Sequence, residues 1–119
     1  TLKASKGSCL LESKIGDAVT STILKVEPPC YFLRQENSKL QSFSYEDIGV
    51  LSTIMVIGSP ISEKKKEKWA IAENAVCGES RQGVLFKESG IAITEKTLEG
   101  GVVCKDKGAD EKDFWFFAH

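Results

Sequence analysis

The chain predicts a mainly β single domain over residues 1–119, a small barrel or sandwich of about eight antiparallel strands with one short helix, stapled by disulfides. Three observations carry that expectation. β-Branched and aromatic residues cluster in short runs separated by Gly, Pro, Asn and Ser turn chemistry at regular spacing. Strong helix formers gather in one stretch alone, residues 62–73. Four cysteines in a chain this small point to covalent support for a core that is modest by size.

Each element follows in order. Residues 1–13 are polar apart from Leu10 and Leu11, so Cys9 is what fastens them to the body. Residues 18–26 are rich in Val, Ile and Thr and stop at Pro28 and Pro29, which have no N–H to give a ladder; this is a strand with a hard end. Cys30, Tyr31, Phe32 and Leu33 begin a second strand, Glu36, Asn37 and Ser38 supply a turn, and residues 40–45 return as a hairpin. Residues 48–57 are apolar without alternation and close at Gly58, Ser59 and Pro60, the pattern of a central strand buried on both faces.

In 62–73, Ser62 can cap a helix in which Trp69, Ala72 and Val76 share one face, although Trp69 and Ile71 also alternate as a strand would. Residues 77–83 read as a polar loop, and 83–87 with 91–94 as a hairpin around Glu88, Ser89 and Gly90. Gly100 and Gly101 break the next connection, residues 102–105 form a short strand carrying Cys104, residues 105–112 a charged loop, and residues 113–118 a last strand.

The cysteines bear on the compartment, as two disulfides of an exported protein or as four buried thiols of a cytosolic one, and the first is the expectation. Cys9, Cys30, Cys77 and Cys104 contain no C-x-x-C or C-x-H pair, so neither a zinc knuckle nor a thioredoxin-type redox centre is available. Two disulfides are expected. Of three connectivities, Cys9 with Cys30 and Cys77 with Cys104 is preferred, because each bridge then ties the ends of a local β segment. Disulfides place the protein in the periplasm or outside the cell, and the lack of an N-x-S/T sequon leans towards a bacterial periplasm. The small polar residues at the start resemble a mature N-terminus left by a signal peptide.

Composition excludes several functions. A net charge of −1 and a pI near 5.9 remove the electrostatic drive for nucleic acid, and no run approaches the roughly 18 apolar residues of a membrane span. Catalysis is not expected: the single histidine, His119, is the last residue, so no Ser or Cys nucleophile has an evident base. Ser62, Glu63, Lys64 and Lys65 spell S-x-x-K without the S-D-N and K-T-G elements that give it meaning. Asp106, Asp110, Glu111 and Asp113 do not match a calcium loop and are interleaved with Lys105, Lys107 and Lys112, so neither metal nor cofactor is expected.

What remains is a surface. Phe114, Trp115, Phe116 and Phe117, read as a strand, put aromatics on both faces, either closing the core or leaving a docking surface. In size, cysteine number and class the chain is similar to periplasmic inhibitor and immunity proteins, and that resemblance implies a non-catalytic protein that binds and occludes a toxin or cell-wall hydrolase. The expected contacts are Glu79 and Arg81 on an exposed rim, Asp110 and Glu111, and an aromatic anchor from Tyr31, Tyr45 or Trp115. The alternatives are a small-ligand or glycan-binding β domain with an aromatic platform, and an accessory module of a secreted assembly that offers an open β edge.

Overall fold

The structure, a computed structural model, describes every residue except Glu73 and, at Ser5, the backbone only. Its elements are β1 (Leu2–Ser5), β2 (Ser8–Ile15), β3 (Ala18–Ile23), β4 (Tyr31–Phe32), β5 (Phe43–Tyr45), a 3-10 turn (Glu46–Ile48), β6 (Val50–Pro60), α1 (Glu63–Lys68), β7 (Cys77–Lys87), β8 (Gly90–Cys104) and α2 (Glu111–Ala118). They make two antiparallel sheets, β1-β2-β3 and β4-β6-β7-β8, with β5 also paired to β6. Both sheets are open, so of the barrel or sandwich expected, no closed barrel forms.

The three-stranded sheet is a meander on two tight turns. Lys6 and Gly7 both take positive φ (51° and 78°), as a type I′ turn requires, and Gly16 (φ 60°) occupies the first central position of the β2–β3 turn, as in type II′. Residues 1–13 are thus two strands rather than a tether. Their signal is hidden because only Leu2, Cys9 and Leu11 turn inward, between Lys, Ser and Glu.

The strand expected over residues 48–57 forms as β6, Val50–Pro60, inside the five-stranded sheet with apolar side chains on both faces; Ile48 lies in the 3-10 turn before it, and Gly58, Ser59 and Pro60 continue the strand they were expected to close. Ile54 and Val56 join Cys9, Leu11, Leu24, Val26 and Val84 on one side; Met55 and Ile57 join Leu33, Val103, Phe114 and Phe117 on the other. The first cluster is shared with the three-stranded sheet and the second is roofed by α2. Gln82, buried in β7, fastens the exit of β3: its Oε1 accepts from Lys25 N (2.8 Å) and its Nε2 donates to Thr94 O (2.6 Å).

Four expectations need correction. Of the hairpin over residues 30–45 only the tip, an excursion around residues 34–41, pairs with itself, Gln35 N donating to Lys39 O (2.9 Å) and Gln41 N to Leu33 O (3.2 Å) about the Arg34–Leu40 bridge; its ends part into two short strands on the same edge of β6, Tyr31 opposite Ile57 and Phe43 opposite Thr53. Residues 77–83 are strand. Glycine conceals this, because β7 passes where a side chain would collide: a Cβ on Gly83 would lie 2.6 Å from Phe117 Cβ. Gly100 and Gly101 do not end a strand but form a bulge inside β8 (φ 79° and 67°), where Ser80 faces Glu99 and Gly78 faces Val103.

The fourth correction concerns the C-terminus, a helix and not a strand, which brings the helices to two. Phe114 and Phe117 are three apart, so a helix turns both inward, to 0% and 2% exposure, while Glu111 and Asp113 suit the positive end of the helix dipole. A strand would have buried Phe114 with Phe116 instead. The helix expected in 62–73 does form, capped by Ser62 accepting from Lys65 N (3.2 Å), but it ends at Lys68, so Ala72 and Val76 lie beyond it; Glu73 falls outside the described residues.

Both disulfides pair as expected. Cys9–Cys30 joins β2 to the segment entering β4 and so ties the sheets together, and Cys77–Cys104 links residues directly opposite on β7 and β8. Among the described residues no helix is long and apolar enough to cross a membrane.

Candidate binding surface

α2 is held at both ends by what precedes it. The loop entering it is zipped onto the 34–41 excursion: Arg34 N donates to Lys105 O (2.7 Å), and Gly108 N donates to Arg34 O (2.9 Å). The Gln41 side chain then acts as a piece of strand, its Nε2 donating to Ala109 O (3.0 Å) and its Oε1 accepting from Ala109 N (2.7 Å). Asp110, the next residue, takes the N-cap position without a side-chain capping bond, and is exposed. Phe114 packs on Phe43 with ring centroids 4.8 Å apart, which fixes the rotation of the helix.

That rotation sets what the helix shows. Glu111, Trp115 and His119 are four apart and form one ridge beside β5. Trp115 is half exposed at 51%, and its ring stacks on His119 (centroids 4.0 Å, interplanar 15°). His119 in turn presents its ring edge-to-face to Tyr45 at 5.3 Å. Its Nδ1 lies 2.9 Å from Trp115 O; a carbonyl only accepts, so Nδ1 is the donor in that contact.

Tyr45 closes the inner side of the ridge. Its hydroxyl is shut away from solvent with no hydrogen bond closed around it. Burial, and after it the charge and proximity of the Glu111 carboxylate, push the phenol up to about 12 from its ordinary value near 10. Tyr45 therefore serves as a neutral aromatic wall. On the opposite flank Phe116 is covered by Lys96, whose Nζ stands 4.4 Å from the ring centroid. An aromatic strip thus runs along α2, bounded by Glu111 at one end and Lys96 at the side.

The residues singled out in the sequence fall into two groups. Tyr45, Glu111 and Trp115 come together, with Asp110 at the start of the same helix. Tyr31, Glu79 and Arg81 lie elsewhere. Tyr31 is half buried under Lys105 (Nζ to ring centroid 5.2 Å) and lines a hollow of about 390 Å³ with Thr1, Leu2, Cys30 and Arg34. Glu79 is ion-paired to Lys65 at 2.9 Å, binding α1 to β7.

Arg81 corrects the expectation of an exposed rim. It is 9% exposed on a strand flanked by β6 and β8, its Nη1 donates to Gly100 O (3.2 Å), and its Nε has no hydrogen-bond partner. His119 and Lys96 belong to the surface and were not anticipated, and Phe116, weighed among the four aromatics of an expected strand, joins it from a helix. The spacing of 111, 115 and 119 was the available signal, but it has meaning only once the segment is helical.

A hollow of about 650 Å³ between the 34–41 excursion and the α2 entry is lined by polar groups, among them Gln35, Glu36, Asn37, Lys107 and Asp110. Among the described residues no group of three or more His, Cys, Asp or Glu side chains stands where it could hold a metal ion. No family model, curated protein or solved structure matches this chain.

Proposed function

We propose that the protein is a non-catalytic binding protein of the periplasm or extracellular space, which occludes a toxin or hydrolase by docking the α2 ridge on it. The observation that carries this reading is Trp115, half exposed yet fixed by its stack on His119 at 4.0 Å and by a helix whose other face is anchored in the core. A large aromatic held in one orientation loses little conformational freedom on binding and gains much contact area, which is why such residues dominate interface energetics. Tyr45 and Phe116 extend the apolar contact, while Asp110, Glu111 and Lys96 give a charged border that selects orientation. Trp115 lines neither of the hollows described above and stands on the exposed side of its helix, which suits covering another protein's surface better than enclosing a small molecule. The two disulfides support an oxidising compartment.

The test is affinity capture with the intact, non-reduced protein from periplasmic extract and culture medium, identification of the captured chain, and assay of its purified form with and without the protein. We expect a one-to-one complex with a hydrolase or toxin whose activity is suppressed, and an affinity at least about tenfold weaker for Trp115→Ala. A complex indifferent to Trp115→Ala, or a captured enzyme that keeps full activity, would overturn the reading.

A further inference from the structure

We propose that β3 pairs antiparallel with β3 of a second copy of this chain, joining the two three-stranded sheets into one six-stranded sheet about a twofold axis at Ser21. The proposal begins from an edge left open. β3 is the last strand of its sheet, carries Ala18, Val19, Thr20, Ser21, Thr22 and Ile23 with no charge or proline, and is exposed along nearly its whole length, Val19 at 63% and Ile23 at 68%.

The remaining edges are obstructed in the ways that prevent strand addition. β8 bears Glu95, Lys96 and Glu99 and is bulged at Gly100 and Gly101. β1 is four residues long and contains Lys3, and the β4–β5 edge is interrupted by the 34–42 excursion. β3 alone has neither charge, bulge nor interruption.

The register with β2 shows which backbone groups are free. Leu24 N donates to Cys9 O (2.8 Å) with Ile23 opposite Leu10, so residues 18, 20 and 22 turn their N–H and C=O groups towards β2. Those of Val19, Ser21 and Ile23 point away from the sheet. Read against itself about Ser21, this set is self-complementary: Ser21 meets Ser21, and Val19 meets Ile23 in both directions, so every outward N–H and C=O is used.

Side chains agree with that register. On the outer face Leu10, Ile23 and the second copy's Val19 fall in one row, repeated by symmetry, and on the other face Thr20 meets Thr22. The residues next in line are Asp17 and Lys25, opposite in sign. Shifting the register by two residues either way, which moves the axis by one, leaves one outward residue without its partner in β3 and sets Asp17 against Ile23, or Lys25 against Val19. A strand pair of this length is a small interface, so association is expected to be weak and concentration-dependent.

The test is sedimentation of the intact protein from low micromolar to near-millimolar concentration, with amide hydrogen exchange followed over the same range. We expect the mass to rise from 13.0 kDa towards twice that value. The amides of Val19, Ser21 and Ile23 should slow at least tenfold at the top of the range. The double variant Val19→Lys/Ile23→Lys, altered at two exposed positions, should remain a monomer with an unchanged circular dichroism spectrum, while Trp115→Ala should dimerise like the parent. A monomer at all concentrations, a dimer unaffected by the double lysine variant, or protection of these amides only when a different protein is added would each overturn the proposal.

Discussion

In the five-stranded sheet the middle of β6, residues 53–58, has no wet face: Ile54 and Val56 are covered from one side, and Met55 and Ile57 from the other by α2. The three-stranded sheet is covered on one face only, through Leu2, Cys9 and Leu11, and β3 beyond them stands in water. Both regions are built from β-branched residues, and 18–23 is as strand-like in composition as 50–57. The difference teaches that two segments of like β-branched composition can both become strands, while the layers packed against each decide whether it carries stability.

The comparison is broken most forcefully by Phe114→Ala. This side chain is fully buried, and its loss should cost about 3–5 kcal/mol in urea unfolding, where Val19→Ala should change stability by less than about 0.5 kcal/mol. Next come the disulfides, whose cysteines are 21 and 27 residues apart, so that each bridge should contribute on the order of 3 kcal/mol by restricting the unfolded chain. Where the molecule then opens should differ. Replacing Cys9 and Cys30 with Ser should release the three-stranded sheet first, seen as loss of amide protection in β1 to β3; replacing Cys77 and Cys104 should loosen the end of β7 and β8.

A smaller effect comes from Tyr45. Its phenol is raised to about 12 in the folded protein against about 10 unfolded, so between these values the native state holds the proton more tightly. Its contribution is therefore fully present below pH 10 and is lost as pH rises from 10 to 12. Tyr45→Phe should flatten that part of the stability profile, and absorbance titration should show one of the two tyrosines ionising late. Least of all, Ile23→Ala should leave the melting temperature of the dilute protein almost unchanged, which would sharpen the distinction between exposed and covered strands.

Much of the fold was legible. A β run stood ahead of Pro28 and Pro29, although β3 ends at Ile23 and not at residue 26; the apolar stretch marked β6, the turn at Glu88, Ser89 and Gly90 marked the β7–β8 hairpin, and the preferred pairing of neighbouring cysteines is the one that forms. What escaped did so for tertiary reasons. The four aromatics ahead of Ala118 satisfy strand and helix periodicity about equally, and the decision lies with the space that Gly83 leaves for Phe117. The glycines at 78, 83, 100 and 101 read as loop punctuation, whereas they permit close approach and bulging inside long strands. Site residues followed the same division. Tyr45, Glu111 and Trp115, singled out by residue type, lie together in the structure, but Arg81 was misplaced because a charged residue on an internal strand looks, in sequence, like one on a loop.

The central claim is that the doubly covered sheet and α2 form one rigid frame that holds the Trp115 ridge still, while β3 is a soft margin. Native-state hydrogen exchange at low micromolar concentration tests it most directly. We expect the amides of Met55, Ile57 and Val84 and those in the last turn of α2, including Phe117, to exchange only through global unfolding, while Val19, Ser21 and Ile23 exchange without it. Exchange in α2 as fast as in β3 would contradict the account, because Trp115 would then ride on a mobile helix and could not serve as a fixed anchor.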